Sequence, residues 1–354
     1  CIRDRPYAQA PDVVRELTIL DTDQGFVAGS GLTLTALTDR QVENLALLGK
    51  VWGFLKYHHP AVRSGQRHWD FDLFRVLPGM LEAGDRKEAV GELLTWIHVL
   101  GEAPACDPCA QLGDDLDGKP RLDWLKDKKL LGKTLSQKLM EIYENRPADS
   151  KQFYISQFPS VGNPIFENEK TYADLDFPDA GYRLLALFRY WNIIEYWFPN
   201  RDLIDRDWDE VLVAYLPEVL AADDEESYQL AFLKLIAEVD DGHANLYSAD
   251  EYRPPVGPDR LPVVVRFIED QAVVTAFADS LRGPATGLLV GDVILEMDGR
   301  KVSELVKEWE PFYPASNQPH RLAGMARNLT RGPWGPCLLK VKRGETTLTL
   351  EPVR

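Results

Sequence analysis

The sequence predicts an α+β protein, a duplicated helical region followed by a β-rich region. Three observations predict it. Segment 48–100 aligns with 187–239 at a constant offset of 139 without a gap, and fifteen of 53 positions are identical. Average composition would give about three or four. Apolar residues in both segments recur at helical spacing. After Pro254-Pro255 the period of 3.6 gives way to the period of 2 expected of strands.

Residues 1–36 form an N-terminal segment in which Val14 to Asp21 reads as one strand. The first copy is assigned to 37–103. Thr38 and Gln41 make a capping box, which satisfies free N–H groups at a helix start. Leu45, Leu48, Val51, Trp52 and Leu55 follow at i, i+3, i+4 spacing. Pro60 stops that helix, because proline disfavours α geometry in the residue before it. A second helix covers about 70–83 and a third about 86–100. Segment 104–180 is a mixed connection. Lys119 to Asn145 holds two helices with Leu130, Leu131, Leu135, Leu139 and Ile142 as apolar positions, and 146–180 is irregular.

The second copy, 181–250, repeats the pattern at about 181–198, 209–222 and 225–239. Trp52 meets Trp191, Tyr57 meets Tyr196, and Trp69-Asp70 meets Trp208-Asp209. Such paired aromatics belong in equivalent buried places. Pro78 and its counterpart Pro217 are expected to kink or break the middle helices. The acidic run Asp223 to Glu226 suits a helix N-terminus.

From 256 to 354 the pattern is that of strands. Val263 to Phe267 and Ala272 to Phe277 flank a turn at Glu269-Asp270-Gln271. Gly287 to Ile294 leads into Met297 and a tight turn at Asp298-Gly299. Val302 to Trp309 reads as a short helix, 312–336 as an insertion, and Leu338 to Lys342 with Thr346 to Leu350 as closing strands.

Composition excludes several functions. Fifty-six acidic against 40 basic residues give a net charge of −16. A pI near 4.9 disfavours contact with phosphate backbones, so no nucleic-acid partner is expected. No stretch approaches the roughly 20 apolar residues of a membrane span. No glycine-rich phosphate loop occurs, and no cofactor is expected. His58, His59, His68 and Asp70 could suggest a metal cluster. The repeat sets His58 and His59 opposite Trp197 and Phe198, so aromatic packing is expected instead and no metal site is assigned. Cys106-Asp107-Pro108-Cys109 has the spacing of a redox motif or half a zinc site. With no second Cys/His pair and no βαβ context, a local disulfide in an oxidising compartment is the preferred reading. Cys337, on an expected strand, is left without a partner. Asn328-Leu329-Thr330 fits the glycosylation tripeptide, a weak three-residue pattern to which no site is assigned.

Two motifs carry resemblances. The run Gly287-Leu288, Gly291-Asp292-Val293-Ile294, then Asp298-Gly299 and Val302 resembles the PDZ domains of bacterial proteases. That implies a module taking extended peptides along a strand edge. Residues Pro258 to Pro262 lack the glycine-rich carboxylate loop of such modules, and a β-rich packing role stays open. Before this region stands Val239-Asp240-Asp241-Gly242-His243-Ala244-Asn245-Leu246. A helical repeat, then Asp-Gly-His, then a PDZ-like region resembles the carboxyl-terminal processing peptidase and tricorn protease family of serine peptidases. The phrase Trp52 to Pro60 also looks like bacterial members.

The resemblance implies that His243 is the general base of a serine nucleophile, as in tricorn-like members. Processing peptidases use a lysine of a later domain instead, and His243 could equally cap a turn. The family's serine lies in a domain after the PDZ module. Here no Gly-x-Ser-x-Gly elbow occurs, and no serine follows Ser316. The chain is therefore expected to be the non-nucleophilic N-terminal part of a serine endopeptidase, inactive alone, whose full-length form acts on a peptide or unfolded-protein substrate. The alternative is a non-catalytic module binding a peptide, a partner or an apolar ligand. The expected location is extracytoplasmic, periplasmic or secreted. Cys1 opens three readings: a mature secreted chain, a piece of a longer one, or a lipoprotein anchored through a lipid on Cys1.

Overall fold

The computed structural model describes residues 16–110, 120–148, 152–175 and 177–354. The chain is mixed α+β, with a helical N-terminal region and a C-terminal antiparallel sheet region. Helices α1 (Asp39–His58), α2 (Trp69–Glu82), α3 (Arg86–Leu100) and α4 (Lys128–Glu144) come first. Helices α5 (Ala180–Trp197), α6 (Trp208–Ala221) and α7 (Glu225–Ala237) follow. The chain divides into two compact units, one built mainly from 47–110 and 122–172, the other mainly from 177–354.

The two helix sets answer to one local code. Helix α2 and helix α6 have bounds related by the offset of 139, and α3 and α7 start at residues related by it too. The caps correspond: Asp85 accepts from the Glu88 N–H at the start of α3, and Asp224 accepts from the Ser227 N–H at the start of α7. Each satisfies a donor that the first helical turn leaves free. In one set the Trp52 indole donates to the Trp69 carbonyl and the Trp69 indole to the Trp52 carbonyl, both at 3.2 Å. In the other, Trp191 donates to the Trp208 carbonyl at 2.6 Å and Trp208 to the Trp191 carbonyl at 3.0 Å. All four indoles are buried, and each buried N–H is satisfied by the main chain of its partner.

Several elements differ from the sequence expectation. Residues 14 and 15 of the expected strand Val14 to Asp21 lie outside the described residues, and the remainder contains no strand. Ile19–Thr22 is one helical turn, because the Asp21 carboxylate accepts from both the N–H and the hydroxyl of Thr18. Helices α2 and α6 run past Pro78 and Pro217 without a break. Between Lys119 and Asn145, the first helix is a short 3-10 turn, Asp123–Lys126, and Lys119 itself lies outside the described residues. The segment 312–336 contains a helix, α9 (Gln318–Asn328). It starts at Asn317, which accepts from the His320 N–H, and it buries Leu322, Met325 and Ala326. Three buried apolar positions among His, Arg and Gly are a weak periodic signal in the sequence, although they suffice to seat the helix.

The sheet region holds β1 (Val263–Ile268), β2 (Gln271–Phe277), β3 (Val293–Met297), α8 (Val302–Trp309), β4 (Leu339–Arg343) and β5 (Thr346–Leu350). The strand order is β5-β4-β3-β2-β1, every pair antiparallel, so β1 forms one edge. Helix α9 packs against β1. Glu269 and Asp270 both take positive φ in the β1–β2 turn, the geometry that matches strand twist in a two-residue hairpin. Val263, Val265, Val274, Ile294, Leu339 and Val341 face one core with Trp309 and Met325. The Gly287 to Asp292 motif has a structural cause. Gly287 and Gly291 take positive φ. The buried Asp292 carboxylate accepts two bonds from Arg343, at 2.8 and 2.7 Å, and one from the Leu289 N–H. The Arg343 bonds hold the Asp292 carboxyl below its usual range against the opposing effect of burial.

Candidate functional site

His243 follows helix α7, in a turn closed by the Ala244 N–H donating to the Asp241 carbonyl at 3.0 Å. The Asp241 side chain ties the His243 main chain and ring together. One oxygen, Oδ1, lies 2.9 Å from both the His243 backbone N and the imidazole Nδ1. Burial raises the Asp241 carboxyl, but the main-chain and ring bonds from His243 outweigh it and hold the group below its ordinary value. In the neutral tautomer that donates Nδ1–H to Asp241, the lone pair lies on the other ring nitrogen, Nε2. The ring is almost wholly exposed, at 98% of its side-chain surface. A carboxylate-oriented imidazole with a free Nε2 is the arrangement a general base needs.

Sequence reasoning picked the histidine and missed its orienting aspartate. The signal was present two residues upstream, where a carboxylate can bond both the main chain and the ring of His243. The neighbouring Asp240 differs. Burial and the nearby carboxylates of Asp205 and Glu238 raise its carboxyl, although the Asp205 N–H and Arg321 partly offset this.

A cleft of about 520 Å³ opens beside His243. One wall is the turn Gly242 to Asn245. The other is helix α9, contributing His320, Gly324 and Arg327, with Tyr313 between. Gly242 is there for space: a Cβ on it would lie 2.9 Å from the His320 ring. Arg253 stacks over Tyr313 with 5.6 Å to the ring centre, and Asn328 donates to the Tyr313 hydroxyl at 3.2 Å. Asp259-Arg260, of which Arg260 lines the cleft, pairs with Arg331-Gly332. Gly257 permits the approach, since a Cβ there would meet the Gly332 carbonyl carbon at 2.1 Å.

Ser316 comes close to this turn without joining it. Its hydroxyl accepts from the Gly242 N–H at 3.3 Å. It lines an adjacent cleft with Asp205, Asp240 and Asp241. Among the described residues, no hydroxyl is hydrogen-bonded to the His243 ring.

The remaining candidates have structural placements. His58 packs against Phe54 at a tilt of 50°, with 4.7 Å between ring centres, and meets Tyr143 edge-on. Burial, with Arg146 and Arg63 nearby, depresses it to about 3. His59 accepts from the Ala61 N–H, and His68 caps α2 while stacking on Phe71 at 3.6 Å. Asp70 accepts from the Tyr172 hydroxyl. Cys106 and Cys109 form a disulfide, whereas Cys337 is a buried thiol raised to about 11 by burial. The Asn328 amide is engaged by Arg260 and Tyr313, and Thr330 of that tripeptide is buried, which argues against a glycosylation acceptor. Cys1 lies outside the described residues. No helix among the described residues is long and apolar enough to cross a membrane. Compared with protein-family models and with curated proteins, the chain matches none.

Proposed function

We propose that this chain is the non-nucleophilic N-terminal part of an extracytoplasmic serine peptidase similar to the carboxyl-terminal processing and tricorn-like family. The observation that carries the reading is the Asp241–His243 pair, an exposed imidazole oriented by a carboxylate at the rim of a cleft. In this reading the two helix sets are copies of one unit, and the sheet region is a PDZ-like module with β1 as its edge strand. A peptide bond would be cleaved by acyl transfer to a serine that another part of the protein supplies. His243 takes the proton from that hydroxyl and returns it to the leaving amine. Asp241 fixes the ring and stabilises the imidazolium that forms.

The test has two arms. Residues 1–354 should hydrolyse peptides no faster than a buffer blank and take up no fluorophosphonate. In a longer protein carrying the serine, His243→Ala should lower the chemical step by about 10²–10⁴-fold, the usual worth of a general base. Labelling of the 354-residue chain would mean that a nucleophile lies within it. Full activity of His243→Ala in the longer protein would place the base elsewhere, as in the lysine-using branch.

A second reading is a non-catalytic peptide-binding module, for which the cleft between the turn Gly242 to Asn245 and helix α9 would serve as the binding site. It predicts peptide binding by this chain, and no hydrolysis by any longer form.

A further inference from the structure

The cleft beside His243 has the opposite character to the molecule that carries it. The chain bears a net charge of −16. The cleft lining includes Arg253, Arg260, Arg321 and Arg327 with two histidines, and no aspartate or glutamate. Two of the four guanidinium groups are answered from outside the lining. Arg253 pairs with Asp250 at 3.0 Å. Arg321 pairs with Glu310 at 2.9 Å and approaches Asp240 at 3.6 Å.

The other two have no such partner. Arg260 donates to the Arg327 carbonyl and to the Asn328 side-chain oxygen, both at 3.1 Å. These are neutral acceptors that orient the guanidinium and leave its charge in place. The Arg327 side chain makes no ion pair among the described residues, and both arginines are exposed. Helix α9 therefore presents Arg327 beside a main-chain-anchored Arg260, two forks suited to carboxylates. A protein of this net charge repels anions at long range. At physiological salt, however, that field is screened beyond roughly 8 Å, and close guanidinium contacts decide what binds.

We propose that this cleft binds an acidic peptide segment, with Arg260 and Arg327 each taking a side-chain carboxylate. The inference rests on the peptide-binding part of the reading above and adds the substrate class. The surrounding groups suit a peptide better than a bare ion. The Asn245 amide and the Tyr247 ring, 78% exposed, line the same cleft. The Asn245 oxygen is taken by Arg253, so the pair offers the Asn245 NH2 group and an amphipathic surface to a main chain.

The experiment is a fluorescence-anisotropy titration of the full 354-residue chain with a labelled Ala-Glu-Ala-Glu-Ala peptide and its Ala-Gln-Ala-Gln-Ala counterpart. The Glu peptide should bind and the Gln peptide should not. Arg327→Gln should weaken the Glu peptide about tenfold or more, the loss expected for one charged hydrogen-bonding partner. Arg260→Gln combined with Arg327→Gln should abolish binding. The Arg327 side chain is exposed and makes no ion pair among the described residues, and Arg327→Gln keeps the main-chain carbonyl that anchors Arg260, so this variant is decisive even where Arg260→Gln disturbs the fold. Raising salt should weaken binding.

Equal binding of the two peptides overturns the proposal. So does unchanged affinity in Arg327→Gln, or complete displacement of the peptide by an equal concentration of inorganic phosphate, which would mark a general oxyanion site. These outcomes are separate from the fate of His243 in catalysis, which is read from hydrolysis by the longer protein. They are separate also from peptide binding at the β1 edge, which an uncharged apolar peptide would report and neither arginine variant should change.

Discussion

Position 56 of the first helix set and position 195 of the second are equivalent under the repeat, yet carry opposite charge. Lys56 is buried over the rings of Trp52, Tyr57 and Tyr154 and ion-pairs with Glu169. Glu195 is nearly buried and meets Arg201 at 3.4 Å. A buried charge survives only with a partner, and each helix set answers its charge at this position with its own ion pair. His58 illustrates the reverse case, a titratable group buried without charge. Its folded value of about 3 lies below the ordinary 6.5. Between those values the unfolded chain binds a proton that the folded chain refuses, so stability falls as pH falls through that window. The slope from this one group is about 1.4 kcal/mol per pH unit at most. His58→Phe, which installs an aromatic ring as in the equivalent Trp197, should therefore flatten the loss of stability between pH 7.5 and 5.5. Urea midpoints of both proteins at the two pH values measure it, and parallel losses would show that His58 is not the group responsible.

At the scale of elements, the helices were legible because their start and stop signals are local. The Thr38–Gln41 capping box forms as read, α8 runs from Val302 to Trp309 as read, and Asp85 and Asp224 mark their helices in the sequence itself. Helix α9 was not legible, because its apolar positions are few and its partner, β1, lies some fifty residues earlier in the chain. The cleft was illegible for the same reason. Arg253, Arg260 and Arg327 come together only when α9 packs on β1, and no local pattern announces that. The repeat makes a sharper demand on the helix sets. If the reciprocal indole bonds are one device used twice, removing one donor should cost the same in either place. Trp52→Phe and Trp191→Phe should each destabilise by about 1–3 kcal/mol, through the lost bond and the space left behind. Denaturant unfolding of the two variants checks this. A large loss in one with none in the other would mean that the matched bonds do unequal work.

Over the whole molecule, charge and burial act in the same direction as pH falls. Fifty-six acidic residues against 40 basic ones set a net charge of −16 near neutrality, a charge that opposes association of copies. It vanishes as the pH approaches 4.9. His59 and His68 are also held below their ordinary values, mainly by burial, so they lose stability in the same sense as His58 when the pH drops below about 6.5. The depressed carboxylates act later. Asp23, Asp241 and Asp292 lie below their ordinary value of 3.8. Their stabilisation is therefore complete above that pH and is lost only as the pH falls through their folded values. Between about pH 6.5 and 5, conformational stability and charge repulsion decline together, and the chain should scatter light most strongly near pH 5. At pH 7.5 it should be clear, and near pH 3 the 40 lysines and arginines, then largely unopposed, should restore repulsion even as the fold weakens. A pH series of light scattering with parallel thermal melts tests this. Highest thermal stability at pH 5 would show that the buried histidines do not govern the acid behaviour of this protein, and a scattering minimum there would show that the net charge does not.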